Sequence, residues 1–215
     1  MTSTIMKLIQ EKNLPDDKLE DILSLYEKTL TIPKTKPKNQ FLLCAVGLVG
    51  SGKTTVMKPL SKELGLVRMA GDEIRKVLYD NGYNQKRLMD LSILFNHKYL
   101  KLGYSMALDS DCSKEGVRND IYKFGDQYGA KAVFIHINPP EKFIINKLSN
   151  IKEPWPWLLK NSSSKTLLEE YYSRKKLHTN LNIPFLCEID TSAPDLKNQL
   201  KNAIDLIREK TQMNQ

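Results

Sequence analysis

Nine consecutive residues, Gly47-Leu48-Val49-Gly50-Ser51-Gly52-Lys53-Thr54-Thr55, have the types and spacing of a phosphate cradle, G-x-x-x-x-G-K-[ST]. Gly47, Gly50 and Gly52 let backbone N–H groups of the run, Ser51 and Thr55 included, approach phosphate oxygens. A helix N-terminus directly after adds partial positive charge. The Lys53 ammonium would reach the β/γ-phosphates, and the Thr54 hydroxyl would ligate Mg²⁺. A second group follows in Gly71-Asp72-Glu73-Ile74-Arg75. A carboxylate such as Asp72 can take the proton of an attacking hydroxyl, and Arg75, three positions on, can hold an anionic or hydroxylated acceptor. The same pair also fits an N-cap aspartate beside an exposed arginine, and spacing alone does not separate the two readings. Asp109, in Asp109-Ser110-Asp111-Cys112, offers a second acidic group for Mg²⁺, directly or through water.

Such a cradle works only between a strand and a helix. Residues 41–46 (FLLCAV) form the short apolar run of a buried parallel strand. Residues 54–64 read as a helix with Val56, Leu60 and Leu64 on one face. With both flanks present, binding of a nucleoside triphosphate outweighs a chance glycine turn. Residues 66–70 read as a second strand, which puts Asp72 at the C-terminal edge where open α/β sheets place ligands.

Further on, residues 86–102 form a helix striped by Leu88, Leu91, Phe95, Tyr99 and Leu102 and stopped by Gly103. A third strand over 104–108 ends at Asp109. The helix over 114–128 carries Arg118, either toward an acceptor pocket or as a surface charge. A fourth strand covers 131–137, and His136 within it and His97 on the preceding stripe read as structural. Asp109-x-Asp111 superficially resembles the aspartyl nucleophile motif of haloacid-dehalogenase phosphatases, but the remaining chain has no room for a second catalytic centre.

A helix over 141–148 leads into the least regular stretch, with Trp155 and Trp157 in Glu153-Pro154-Trp155-Pro156-Trp157. Its position suggests a lid over about residues 149–176, ending in a helix over 165–176. The two tryptophans would stack on a flat acceptor, or pack the lid against its own helices, the commoner fate of tryptophan. A fifth strand over 184–189 and a helix over 194–208 close the chain, leaving 209–215 as a frayed tail. At the other end, Leu19, Ile22, Leu23, Tyr26 and Leu30 give an amphipathic helix that packs on the core or meets a partner. The proline-marked stretch 32–40 is a linker.

The 215 residues carry a net charge of +8, enough to favour anionic partners. Only six of the basic residues are arginines, the better fork for phosphate and bases, so nucleic acid stays open as a partner without being favoured. Cys44, Cys112 and Cys187 lack metal-ligand spacing and read as reduced thiols in a cytoplasmic setting. No stretch is apolar enough to cross a membrane, and no secretory signal opens the chain.

The order of parts, GLVGSGKTT, GDEIR, ALDSD, a helix with Arg118, KAVFIHINPPEKF and EIDTS, resembles the small P-loop kinases over about residues 40–210. Specifically, it is similar to the group containing polynucleotide 5′-hydroxyl kinases and zeta toxins, with an AAA-type ATP-binding domain. The resemblance implies an α/β P-loop NTPase three-layer sandwich. Its five-stranded parallel sheet has the order 2-3-1-4-5, helices on both faces and a small lid. It implies a domain over 40–215 preceded by a helical extension and linker over 1–39. In that group the aspartate matching Asp72 is the general base, and the arginine matching Arg75 binds the acceptor.

Such kinases bring lid arginines onto the transferring phosphates. Here Lys147, Lys152, Lys160 and Lys165 occupy the span between Arg118 and Arg174, and Arg174 is the best substitute. The expectation is an ATP- and Mg²⁺-dependent kinase with Lys53, Asp72, Arg75 and Arg174 as its catalytic set. Thr54 and Asp109 would hold the metal, and Arg75, Arg118, Trp155 and Trp157 would meet a hydroxyl acceptor. A small metabolite, nucleotide or sugar is the favoured acceptor. The alternatives are a polynucleotide 5′-hydroxyl kinase and a nucleotide-dependent switch or toxin-like regulator.

Overall fold

The structure, a computed structural model, describes residues 12–151, 166–178 and 181–212. Its centre is β1 (Phe41–Val46), buried at every position. Strand alternation divides that burial between two faces. Leu42, Cys44 and Val46 enter one core, and Phe41, Leu43 and Ala45 enter the other. Around it lie β2 (Val67–Ala70), β3 (Met106–Asp109), β4 (Lys131–Ile137) and β5 (Phe185–Ile189). All pairs are parallel, in the order β2-β3-β1-β4-β5 that the resemblance implies.

The first face is covered by α1 (Leu19–Glu27), α3 (Gly71–Asp80), α4 (Leu88–Lys101) and α5 (Glu115–Tyr128). The second is covered by α2 (Lys53–Glu63) and α8 (Leu196–Thr211). A smaller apolar cluster joins α6 (Glu141–Ser149) to α7 (Leu167–Lys175) through Ile144, Leu148, Leu167 and Tyr171, with Leu48 and Val49 of the glycine loop against it. The loop is therefore fixed from its outer side. Among the described residues, no helix is long and apolar enough to cross a membrane.

Of the two readings of the N-terminal helix, the structure takes the first: Ile22, Leu23 and Tyr26 of α1 are buried in the main core. Several expectations are corrected. Helix α4 starts after a 3₁₀ turn at Gln85–Arg87, and its fifth stripe residue, Leu102, is exposed while Leu100 and Asn96 are buried. Residues 209–211 are not frayed, because α8 continues to Thr211, which is buried and donates its hydroxyl to the Ile207 carbonyl at 2.7 Å. The third strand begins at Met106 and includes Asp109, which pairs in register with Ala70. That pairing brings the end of β3 beside the start of α3.

Candidate active site

The glycine loop leaves β1 and enters α2 through Gly52, whose φ of 92° lies in the left-handed region. A side chain there would be strained, and its Cβ would fall 3.0 Å from Thr191. Gly47 is needed for a different reason: a Cβ would sit 2.6 Å from the Ile137 carbonyl oxygen. The turn after β5 braces the same loop, since the Thr191 hydroxyl donates to the Ser51 carbonyl at 2.7 Å. Ser51 Oγ is buried and finds no hydrogen-bond partner among the described residues. The first amides of α2 have no carbonyl a turn earlier to bond. A glycine-lined loop with an orphaned buried hydroxyl at a helix N-terminus fits a phosphate chain.

Lys53 lies in the first turn of α2 and folds back, donating to the carbonyls of Gly47 at 2.7 Å and Leu48 at 3.0 Å. Burial pushes its pKa down, Asp111, Asp109 and Asp72 oppose that shift, and Arg174 adds to it. One ammonium is thus within electrostatic reach of three carboxylates and a guanidinium contributed by β3 and its following loop, α3 and α7.

The Thr54 hydroxyl donates to Asp109 Oδ1 at 3.2 Å, so the two residues expected at the metal are in direct contact. The other carboxylate oxygen, Oδ2, accepts from Arg68 at 2.6 Å. Burial pushes the pKa of Asp109 up, and Arg68, Thr54 and Lys53 pull it back. Among the described residues no group of three or more His, Cys, Asp or Glu forms a self-sufficient metal site. A single carboxylate beside a threonine hydroxyl at a phosphate loop fits Mg²⁺, which takes one or two carboxylates and completes its shell with water and phosphate.

Asp72 and Arg75 lie in the first turns of α3, and Arg75 donates to Asp72 Oδ1. The Asp72 side chain is half exposed and the Arg75 side chain about a quarter exposed, so both are open to an incoming ligand. Arg118 is turned toward its own helix start, donating to the Ser113 carbonyl. Arg174 donates through Nε to Glu170 Oε1 at 2.5 Å. Trp155, Trp157, Lys152, Lys160 and Lys165 lie outside the described residues. Both histidines read as structural are hydrogen-bonded: His97 meets the Tyr128 hydroxyl at 2.6 Å, and the half-buried His136 meets Glu188 at 2.7 Å.

Two features were not visible in the sequence. Asp111, set aside with the phosphatase-like motif, is largely buried and lies first among the carboxylates acting on Lys53. Its Oδ2 accepts from the Ser113 hydroxyl at 2.9 Å and faces His178 Nε2 at 3.0 Å, in the 3₁₀ turn that follows α7. Burial pushes its pKa up, but His178, Lys53 and Ser113 together hold it below the usual carboxylate range. The second feature is Arg68, whose side chain links Asp109 to Glu73. Across the two strands Arg68 pairs with Ala107 and Asp109 with Ala70, so the contact is diagonal and no sequence spacing marks it.

A family model described as an AAA domain matches residues 42–150, slightly more than half of the chain. No curated protein matches. Among solved structures, the chain is similar to the APS kinase CysC of Mycobacterium tuberculosis in complex with AMPPNP and APS. The TM-score is 0.51 at 15% identity, covering 80% of this chain and 99% of that one. It is similar to the PezAT chromosomal toxin-antitoxin system of Streptococcus pneumoniae, with TM-score 0.54 at 16% identity, covering 93% of this chain and 99% of that one. A gluconokinase from Sinorhizobium meliloti 1021 gives TM-score 0.51 at 13% identity, covering 83% and 96%. At these identities the likeness is one of fold, and the fold is that of P-loop kinases.

Proposed function

The chain belongs to the AAA domain family, and from that premise we propose an ATP- and Mg²⁺-dependent kinase that transfers the γ-phosphate to a hydroxyl acceptor. The observation that carries this reading is the convergence on Lys53. The Lys53 ammonium, hydrogen-bonded back over the glycine loop, lies within electrostatic reach of Asp109, which contacts Thr54, and of Asp72 at the start of α3. A phosphate cradle, a metal-type carboxylate and a half-exposed carboxylate with an arginine partner are the parts phosphoryl transfer needs.

The roles follow from placement. Backbone amides of 47–55 hold the triphosphate, and Lys53 neutralises its β/γ oxygens. Thr54 and Asp109 would hold Mg²⁺, which supplies charge neutralisation on the phosphates. Asp72 accepts the proton of the acceptor hydroxyl while that oxygen bonds to the γ-phosphorus, and the bond to the β–γ bridging oxygen breaks to release ADP. Arg75, paired with Asp72, orients the acceptor, and Arg174 completes the charge around the phosphates. Arginine is scarce and the solved relatives named for an activity include kinases of small molecules, which supports a small metabolite, nucleotide or sugar as acceptor.

The test is transfer of labelled γ-phosphate from ATP with Mg²⁺ into two pools, a small-metabolite extract and a 5′-hydroxyl oligonucleotide, with Lys53→Ala as blank. Label in the metabolite pool is the expected result. Label in the oligonucleotide, weakening steeply with salt, would change the acceptor class. Label in neither, with nucleotide binding intact, would overturn the kinase and leave a nucleotide-dependent switch.

A further inference from the structure

We propose that Arg68 is a positioning residue that locks the metal-side carboxylate and the acceptor-side helix into one frame. The proposal rests on the kinase reading above. Arg68 stands on β2, four residues before Asp72. One terminal nitrogen donates to Asp109 Oδ2 at 2.6 Å, and the other donates to Glu73 Oε1. Asp109 turns its remaining oxygen to Thr54, and Glu73 is the immediate neighbour of Asp72. A single planar group therefore spans the two halves of the reaction centre without standing in it.

The contact is built rather than incidental. The Asp109 side chain is 1% exposed and that of Arg68 is 12% exposed, so both charges are desolvated and each depends on the other. The Arg68 carbonyl is held from the far side by the Tyr26 hydroxyl at 3.3 Å, which limits how β2 can shift. A guanidinium suits the position because its fork donates in two fixed directions at once, whereas an ammonium is a point charge. Groups that orient a metal-binding carboxylate control metal affinity from outside the first ring of ligands. The outer rim of Arg68, with Glu73, Lys58 and Lys76, borders a cleft of about 720 Å³, so a smaller side chain opens toward that cleft and not into a sealed cavity.

If Arg68 only neutralised Asp109, lysine would replace it. The decisive variant is therefore Arg68→Lys. The probe is a non-hydrolysable ATP analogue titrated with and without Mg²⁺, beside steady-state transfer. Arg68→Lys is expected to bind the analogue as the native chain does without Mg²⁺, and to lose about 10-fold or more of the Mg²⁺-dependent tightening. Wild-type tightening and wild-type kcat in Arg68→Lys would overturn the proposal.

Glu73→Gln leaves the Asp109 arm in place and cuts the α3 arm, together with the 3.9 Å approach of Lys58 to the same oxygen. It is expected to keep the Mg²⁺-dependent tightening and lower kcat about 10-fold, and an unchanged kcat would overturn that arm. Should Arg68→Lys fail to fold by thermal melt, Glu73→Gln decides the α3 arm, and Arg68→Gln, titrated in the same way, decides the Asp109 arm. Because analogue binding needs no transfer, the two failures are distinguishable. A native chain that transfers nothing sinks the kinase, while the tightening still decides the Asp109 arm.

Discussion

The hydroxyl of Tyr26, on the N-terminal helix, accepts the backbone N–H of Ala70 at 2.9 Å, two residues before Asp72. Tyr26 is fully buried, and burial pushes its phenol pKa well up, so it is a neutral donor and acceptor at any ordinary pH. The extension is thereby bonded to the edge that carries the proposed base. Tyr26→Phe keeps the ring and orphans the Ala70 amide. It should cost about 1–3 kcal/mol in chemical denaturation, the range for a buried group left unpaired. Tyr26→Ala, which also empties the volume between Phe95 and the sheet, should cost about 3–5 kcal/mol. A loss below a few tenths of a kcal/mol in both would show that α1 is not part of the cooperative unit.

Gly52 makes a sharper prediction. Its φ of 92° is reached by a side-chain-bearing residue at a cost of about 1–2 kcal/mol. A methyl would also press on Thr191, the residue that braces Ser51. Gly52→Ala should therefore lower stability by at least that amount and abolish binding of an ATP analogue, because the loop amides lose their aim. Gly65, also at positive φ but with open space around it, is the control. Gly65→Ala should show the backbone cost and leave analogue binding at the native level. Equal binding by the Gly52 and Gly65 variants would remove the cradle from residues 47–55.

Much of this was legible because it is written locally. The run 41–46 carries its own burial pattern, the glycine loop carries its own backbone requirement, and β1 and β4 occupy the residues their apolar runs mark. The stripe of α1 likewise states that one face is buried. What the sequence withheld are pairings fixed by strand register and by turns distant in the chain. Arg68 meets Asp109 only because Ala70 and Asp109 are partners across β2 and β3. Asp111 meets His178 across 67 positions, and Thr191 meets Ser51 across 140. No spacing rule reaches that far. The missed end of α8 has another cause: position suggested fraying, while the contacts of Ile207 and Thr211 keep the last turn in the core.

Lys53 should show its cost in the empty protein. Its folded pKa lies below the ordinary value, with burial as the main cause. The unfolded chain keeps that proton up to about pH 10.4. Between the folded value and about 10.4 the unfolded state binds more protons, so stability rises with pH there. Below the folded value both states are protonated and the full cost is present. Lys53→Met, which removes the charge at similar volume, should be more stable than the native chain at pH 7, should lose that alkaline rise, and should bind ATP analogues at least about 10-fold more weakly, the scale of a lost charge-assisted contact. Denaturation curves between pH 7 and about 10 check it. A Met variant less stable than native at pH 7 would show that the carbonyls of Gly47 and Leu48 more than compensate the buried ammonium.

Asp111 gives the opposite pH signature. Its folded pKa is held below the usual carboxylate range because His178, Lys53 and Ser113 outweigh the burial that would raise it. A depressed carboxylate contributes stability that is complete above the unfolded value, about 3.9, and is lost as pH falls through the folded value. Asp111→Asn should therefore be less stable than native at pH 7 by about 1–3 kcal/mol, the cost of weakening a buried hydrogen-bonded charge. The gap should narrow as pH drops below about 4. The same carboxylate ties the turn after α7 to the loop after β3, so the variant should also loosen residues 176–178 in amide hydrogen exchange while leaving β1 protected. A stability gap that stays constant from pH 7 down to about 3 would mean that Asp111 acts through shape and not through its charge.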